Sequence, residues 1–214
     1  MANFFTVDRL GKLKASQVLD LQIYADVMPP VLQSLVDSLV PEGVSQHGEQ
    51  YLLKNPNSQL KAVANSPIEM FFELFRRARF PTRPSRYQSW FAAETLEEAQ
   101  AFRQKYGNPA NSIWEVEANS FFKANMSLLK PTNSMLCQAY LAQCYWNGSE
   151  GPSGELKIPP FWEVLLMPPV KVIQEIKQTA PQTIVATTVY GASLVPPRTA
   201  AEFKAKRVAK KKHR

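Results

Sequence analysis

The sequence has little cysteine, histidine or glycine, and each shortage argues against a class of site. Its 214 residues include two cysteines, two histidines and eight glycines. Cys137 and Cys144 are separated by about 10 Å along a predicted helix, too far for a disulfide. The cysteines and histidines lack ligand spacing, so we predict no metal site. The glycines form neither a phosphate-binding loop nor a nucleophile elbow.

Histidine-based acid–base catalysis has few candidates. His213 lies near the C-terminus, and His47 stands beside Gly48 in a predicted loop. Because one glycine-flanked histidine carries no further catalytic pattern, we do not expect His47 to be catalytic.

Long apolar runs are also missing. No stretch of about 18 apolar residues occurs, so we expect no transmembrane helix and no membrane partner. The opening residues 1–5 lack a basic region followed by an apolar stretch, as a secretory signal would have. A cytoplasmic location is therefore the expectation.

The net charge of +7 is concentrated near the C-terminus. Residues 204–214 contain seven lysines and arginines and no acid, whereas the remainder has 18 basic and 18 acidic residues. We predict a domain over residues 1–196 and a basic, disordered tail over 197–214. Such a tail attracts anions, nucleic acid above all, through residues such as Lys210, Lys211 and Lys212. A merely solvated terminus that maintains solubility is the alternative.

The hydrophobic content of 45% is enough for a sizeable core. Capping signals predict helices that begin near Pro67, Leu96 and Met135, the last of them buried over a wide arc that includes Leu136 and Tyr140. Apolar spacing predicts a further core helix from about Pro30. The remaining β-prone runs include Phe4–Val7, Ser112–Glu117 and three runs in the C-terminal third: Phe161–Met167, Val170–Ile176 and Thr183–Tyr190. We therefore predict a single α+β domain with a mixed, mostly antiparallel sheet and packed helices.

Glu163 is the most informative carboxylate. It follows Phe161 and Trp162 and precedes four apolar residues. A carboxylate buried in such a strand is costly and points to function. In the alternative, Trp162, Val164 and Leu166 face inward and Glu163 faces solvent.

Three segments together resemble the signature of ADP-ribosyltransferases: an opening strand and turn at Phe5–Leu10, a strand leading into a helix at Ser89–Ala99, and the glutamate strand Trp162–Leu166. The resemblance implies NAD as substrate and transfer of ADP-ribose to a macromolecular acceptor, protein or nucleic acid. It implies Glu163 as the catalytic carboxylate that stabilises an oxocarbenium-like transition state.

The resemblance also implies residues that hold NAD. Thr6 stands where the family has His or Arg, with Arg9 nearby. Ser89 and Phe91 fit the second segment, and Arg86 is positioned to neutralise the pyrophosphate.

A competing hypothesis is a non-catalytic protein that binds nucleic acid. Arg76, Arg77, Arg79 and Arg83 are interleaved with aromatic residues in a predicted loop, a composition that grips phosphates and stacks bases. Alternatively, these arginines pair with the domain's own acids. The two hypotheses differ in geometry: a transferase needs Glu163, Ser89 and the opening strand around one cleft, whereas a binder needs outward-facing arginines.

Removing residues 204–214 tests the tail. We expect an almost unchanged melting temperature, because this segment has too few apolar residues to fold. We expect weaker nucleic-acid binding with a flatter salt dependence, measured as the slope of log affinity against log salt concentration. An unaltered slope in the truncated protein would remove the tail from the interface.

Overall fold

The computed structural model describes residues 1–53 and 66–177, all within one compact unit, Met1–Lys177. The predicted tail over 197–214, the predicted strand Thr183–Tyr190 and a predicted turn over 54–58 lie outside the described residues.

In the part of the chain that the structure describes, seven strands form two antiparallel sheets. The first sheet has the order β1-β4-β7-β2, and the second has the order β3-β6-β5. The strands are β1 (Ala2–Asp8), β2 (Val18–Leu19), β3 (Trp90–Ala92), β4 (Ser112–Ala118), β5 (Phe121–Asn125), β6 (Trp162–Leu166) and β7 (Val170–Ile176). A bridge between Phe5 and Ala93 joins the sheets, so the middle of β1 lies beside the end of β3.

The helices are α1 (Pro30–Leu39), the short α2 (Gln46–Gly48), α3 (Ser66–Arg79), α4 (Leu96–Tyr106) and α5 (Met135–Trp146). The predicted caps are confirmed for two of them: Thr95 and Glu98 form a capping box on α4, and the Ser134 hydroxyl accepts from the Cys137 amide on α5. A π-helical segment, Glu49–Leu53, continues α2. Within the described ranges, no helix is both long and apolar enough to cross a membrane.

Strand β6 is buried on both faces because layers pack on either side of it. Val164 and Leu166 pack with residues of β1, β4 and β7. Leu165 packs on the opposite side with Phe72 of α3 and Tyr145 of α5. The α+β prediction is confirmed, and the described strand pairings are all antiparallel.

Three local expectations differ from the structure. Helix α1 is not a core helix, since none of its ten residues is buried. On α5 the face of Leu136 and Tyr140 is exposed, because α3 and β5 cover only the Leu141 and Tyr145 side. Helix α3 continues to Arg79, so Arg76, Arg77 and Arg79 belong to a helix and not to a loop.

Phe72→Ala tests the core between α3, α5 and β6. The Phe72 side chain is fully buried against the Tyr145 ring, with 5.5 Å between ring centroids. Its truncation leaves a cavity, so we expect a loss of about 3–5 kcal/mol in the free energy of unfolding, measured by urea denaturation. The exposed Leu136 provides the control, because Leu136→Ala should change stability by less than about 0.5 kcal/mol. A small loss for Phe72→Ala would contradict this packing.

Candidate active site around Glu163 and Arg86

A cavity of about 570 Å³ lies where β1, β3, β6 and the start of α3 meet the α2 turn. Its volume is in the range of small-molecule sites, about 300–1,000 Å³. The polar and aromatic residues that line it include Thr6, Arg9, Ser45, His47, Tyr51, Glu69, Arg86, Ser89, Phe91, Trp162 and Glu163. Residues far apart in sequence therefore line one cavity.

Glu163 is buried, with 7% of its surface exposed. Its Oε1 atom accepts from Arg86 Nη1 at 2.5 Å and from the Tyr145 hydroxyl at 2.8 Å. Within the described residues, Oε2 accepts no hydrogen bond. Of the two alternatives for β6, the inward-facing glutamate is therefore the observed one, because Glu163 shares the helix-covered face with Leu165.

Arg86 links Glu163 to a second buried carboxylate. Its Nε and Nη2 atoms donate to the two oxygens of Glu69, at 2.7 and 3.1 Å, in a bidentate pair. The Arg86 guanidinium also lies 4.7 Å from the centre of the Phe91 ring. Both carboxylates depend on this one cation, which ties α3 to β6.

Electrostatics keep Glu69 charged despite its burial. Burial alone would raise the pKa of Glu69, but the Arg86 guanidinium, with His47 beside it, outweighs burial and holds this pKa well below the usual range. For Tyr145, burial raises the pKa well above its ordinary value, with Arg86 acting in the opposite direction. Tyr145 is therefore a neutral donor to Glu163.

The Arg86 guanidinium already donates hydrogen bonds to two carboxylates and one hydroxyl. Four of its N–H directions meet Glu69, Glu163 and Tyr145. The pyrophosphate role predicted for Arg86 would therefore require these bonds to break. Among the described residues, Arg9 and Lys12 are the lysine and arginine side chains that line the cavity without an ion pair, and both are exposed.

The remaining predicted NAD-binding residues lie around the same cavity, but two have fixed hydroxyls. Thr6 Oγ1 donates to the Phe91 carbonyl at 2.7 Å. Ser89 is 1% exposed, and its hydroxyl donates to the Ser85 carbonyl at 2.7 Å. The Thr6 hydroxyl links β1 to β3, whereas the Ser89 hydroxyl holds the turn that precedes β3. Phe91 contributes its ring to the cavity wall.

His47 is the site residue that sequence reasoning missed. Its ring stacks on Tyr51 at 4.2 Å and lies 4.5 Å from the Phe91 ring, between centroids. The Nε2 atom is 3.4 Å from Glu69 Oε2, and its geometry does not make a hydrogen bond. The sequence signal for this position was the adjacent glycine, Gly48. A Cβ on Gly48 would lie 2.2 Å from the Tyr87 carbonyl oxygen, so only glycine allows the α2 turn to approach Tyr87 this closely.

The arginines predicted to bind nucleic acid are mostly engaged within the domain. Arg76 is buried and forms an ion pair with Glu73. Arg77 also forms an ion pair with Glu73, so both arginines pair with one of the domain's own acids. Arg83 is exposed but donates to the Trp146 carbonyl and covers the Phe122 ring. Arg79 is exposed. Lys210, Lys211 and Lys212 lie outside the described residues.

No metal centre accompanies the site in the described part of the chain. Within residues 1–53 and 66–177, no group of three or more His, Cys, Asp or Glu side chains is arranged to hold a metal ion.

The fold and cavity define an α+β domain with a buried carboxylate–arginine cluster beside a cavity of small-molecule size. A family model described as "Protein of unknown function (DUF2441)" matches residues 33–178, and the chain belongs to this family. The matched span includes His47, Glu69, Arg86 and Glu163. No curated protein matches the chain.

Acid unfolding tests the Glu69–Arg86 pair. A carboxylate whose folded pKa is depressed contributes stability above its unfolded pKa, about 4.3, and loses it as pH falls further. Glu69→Gln should therefore reduce the free energy of unfolding by about 3–5 kcal/mol at pH 7 and flatten its pH dependence below about pH 4.

The exposed Glu97 of α4 supplies the matched control for urea melts between pH 2.5 and 7. Glu97→Gln should leave the pH dependence of stability close to that of the unaltered protein. An equally steep acid transition in Glu69→Gln would show that other groups cause acid unfolding.

Proposed function

We propose that this protein binds NAD in the cavity and transfers its ADP-ribose to a macromolecular acceptor, protein or nucleic acid. The observation that carries the proposal is that Glu163, Thr6, Arg9, Ser89 and Phe91, separated by up to 157 positions in sequence, all line one cavity. This is the convergence that a transferase requires.

The reaction breaks the bond between ribose C1 and the nicotinamide nitrogen. The bonding electrons leave with nicotinamide, which becomes neutral, and positive charge develops on the ribose. A nucleophilic atom of the acceptor then bonds to C1 and releases its proton. Glu163 supplies negative charge to the ribose, and this interaction strengthens as the bond breaks.

The environment of Glu163 suits this role. Arg86 and Tyr145 both donate to Oε1, so the carboxylate has a fixed orientation before substrate arrives. A group fixed in this way needs little reorganisation during the reaction. Burial further limits solvent screening of its charge.

The cavity also has groups suited to the rest of NAD. The rings of Phe91, Tyr51 and His47 contribute aromatic surface to the cavity for a planar ring. Arg9 and Lys12 are exposed cations at the cavity for the pyrophosphate, since Arg86 is paired internally. These exposed cations favour a ligand with negatively charged phosphates, such as NAD, over a neutral ligand.

Glu163→Gln tests the chemistry. We expect nicotinamide release to fall on the order of a hundred- to a thousandfold, because one charge that stabilises the transition state is lost. NAD affinity, measured by calorimetric titration, should change little. The loss of a buried charged acceptor should also lower stability by about 1–3 kcal/mol, so assays belong well below the melting temperature.

Glu115→Gln is the control, because Glu115 accepts from Asn3 and Gln174 on the sheet surface, and its substitution should leave turnover unchanged. If the unaltered protein does not bind NAD at millimolar concentration, the proposed function is wrong. Equal turnover in both variants would remove Glu163 from the chemistry.

A further inference from the structure

We propose that His47 is the general base that accepts the acceptor's proton during transfer. This inference rests on the proposed function and adds a second catalytic group to it. Four observations carry it: the position of His47 in the cavity wall, its contact with Glu69, the net charge of the cluster behind it and the free state of its Nδ1 atom.

His47 occupies a fixed position in the cavity wall. His47 lines the same cavity as Glu163, and its side chain is 14% exposed. The ring is held between Tyr51 and Phe91, so its plane is fixed by packing. A general base needs such a position, fixed but accessible to a bound reactant.

The contact with Glu69 determines which nitrogen is free. Nε2 lies 3.4 Å from the Glu69 carboxylate, so the nearby negative charge favours a proton on Nε2. The lone pair then lies on Nδ1, which receives no hydrogen bond from the described residues. Hydrogen bonds that are long in a ligand-free site commonly shorten when substrate binds. With the nucleophilic group of the acceptor at Nδ1, the order is nucleophile, imidazole, carboxylate, as in a catalytic triad.

The net charge of the cluster behind His47 favours uptake of a proton. Glu69 and Glu163 contribute two negative charges and Arg86 one positive charge, so the buried cluster carries a net charge of about −1. A proton on His47 brings the cluster to neutrality. A purely structural role would have His47 supply a hydrogen bond that Glu69 lacks. Arg86 already donates to both oxygens of Glu69, so a structural role explains the position of His47 less well.

The proton balance is complete. Water or an acceptor hydroxyl or amine bonds to ribose C1 and loses one proton to Nδ1, while nicotinamide leaves with the electrons of its glycosidic bond. His47 then returns the proton to solvent. No oxidant or reductant is needed.

The test is nicotinamide release from NAD by the full chain between pH 5 and 9. The unaltered protein should lose activity toward acid pH, because a protonated His47 cannot accept the acceptor's proton. His47→Gln should reduce the rate about 10²- to 10⁴-fold and remove this acid limb, while NAD affinity should fall far less than the rate, because the aromatic surface of Phe91 and Tyr51 remains. The charged and titratable groups near this ring are Glu69, Arg86, Glu163, Tyr51 and Arg9, and none of them is altered in the variant.

The chain provides a matched control, because His213 is its second histidine. His213→Gln should keep both the rate and the acid limb. If His47→Gln is unstable, the acid limb of the unaltered protein still decides the matter, since its absence overturns the assignment. An acid limb that persists in a folded His47→Gln variant also overturns it. If no nicotinamide is released and no NAD binds to the unaltered protein, the proposed function fails, and the role of His47 fails with it.

Discussion

The arrangement of the site depends on one interaction, the pairing of buried Arg86 with Glu69 and Glu163. Arg86 is 3% exposed, and its charge would be very costly there without partners. The two carboxylates reduce that cost, and they come from different layers, α3 and β6. Tyr145 adds α5 to the same cluster. The pairing therefore fixes how these three elements meet.

This constraint also explains why β6 can carry a glutamate between apolar residues. Its two faces are covered by different layers, so each side chain of the strand must suit its own neighbours. Val164 and Leu166 meet the first sheet, Leu165 meets the helices, and Glu163 meets Arg86. An excess of negative charge remains in the cluster, and that excess gives both proposed roles, at Glu163 and at His47, a common electrostatic basis.

Two backbone approaches hold the opposite wall of the cavity. The bridge between Phe5 and Ala93, together with the bond from Thr6 to the Phe91 carbonyl, joins β1 to β3. Gly48 lies against the Tyr87 carbonyl, which positions the α2 turn and His47 next to Phe91. The aromatic side of the cavity thus depends on close contacts that larger side chains would prevent.

Local sequence determined much of the secondary structure. The capping signals of α4 and α5 gave their starts correctly, because a cap requires side chains within a few residues of each other. The glutamate in an apolar strand also pointed to Glu163. These signals are local, so they can be read without the fold. The exposed face of α1 and the buried Arg76 could not be read in this way, since both depend on which elements lie opposite.

The tertiary structure alone decided the composition of the site. Glu69 and Arg86 are 17 positions apart, and Arg86 and Glu163 are 77 apart, so no spacing rule relates them. The sequence offered Arg86 as a cation for phosphate and gave His47 no role. The fold assigns Arg86 to two carboxylates and brings His47 to one of them. The physical reason is that a buried charge takes its partners from whatever elements pack around it, and packing brings together residues that are distant in the chain.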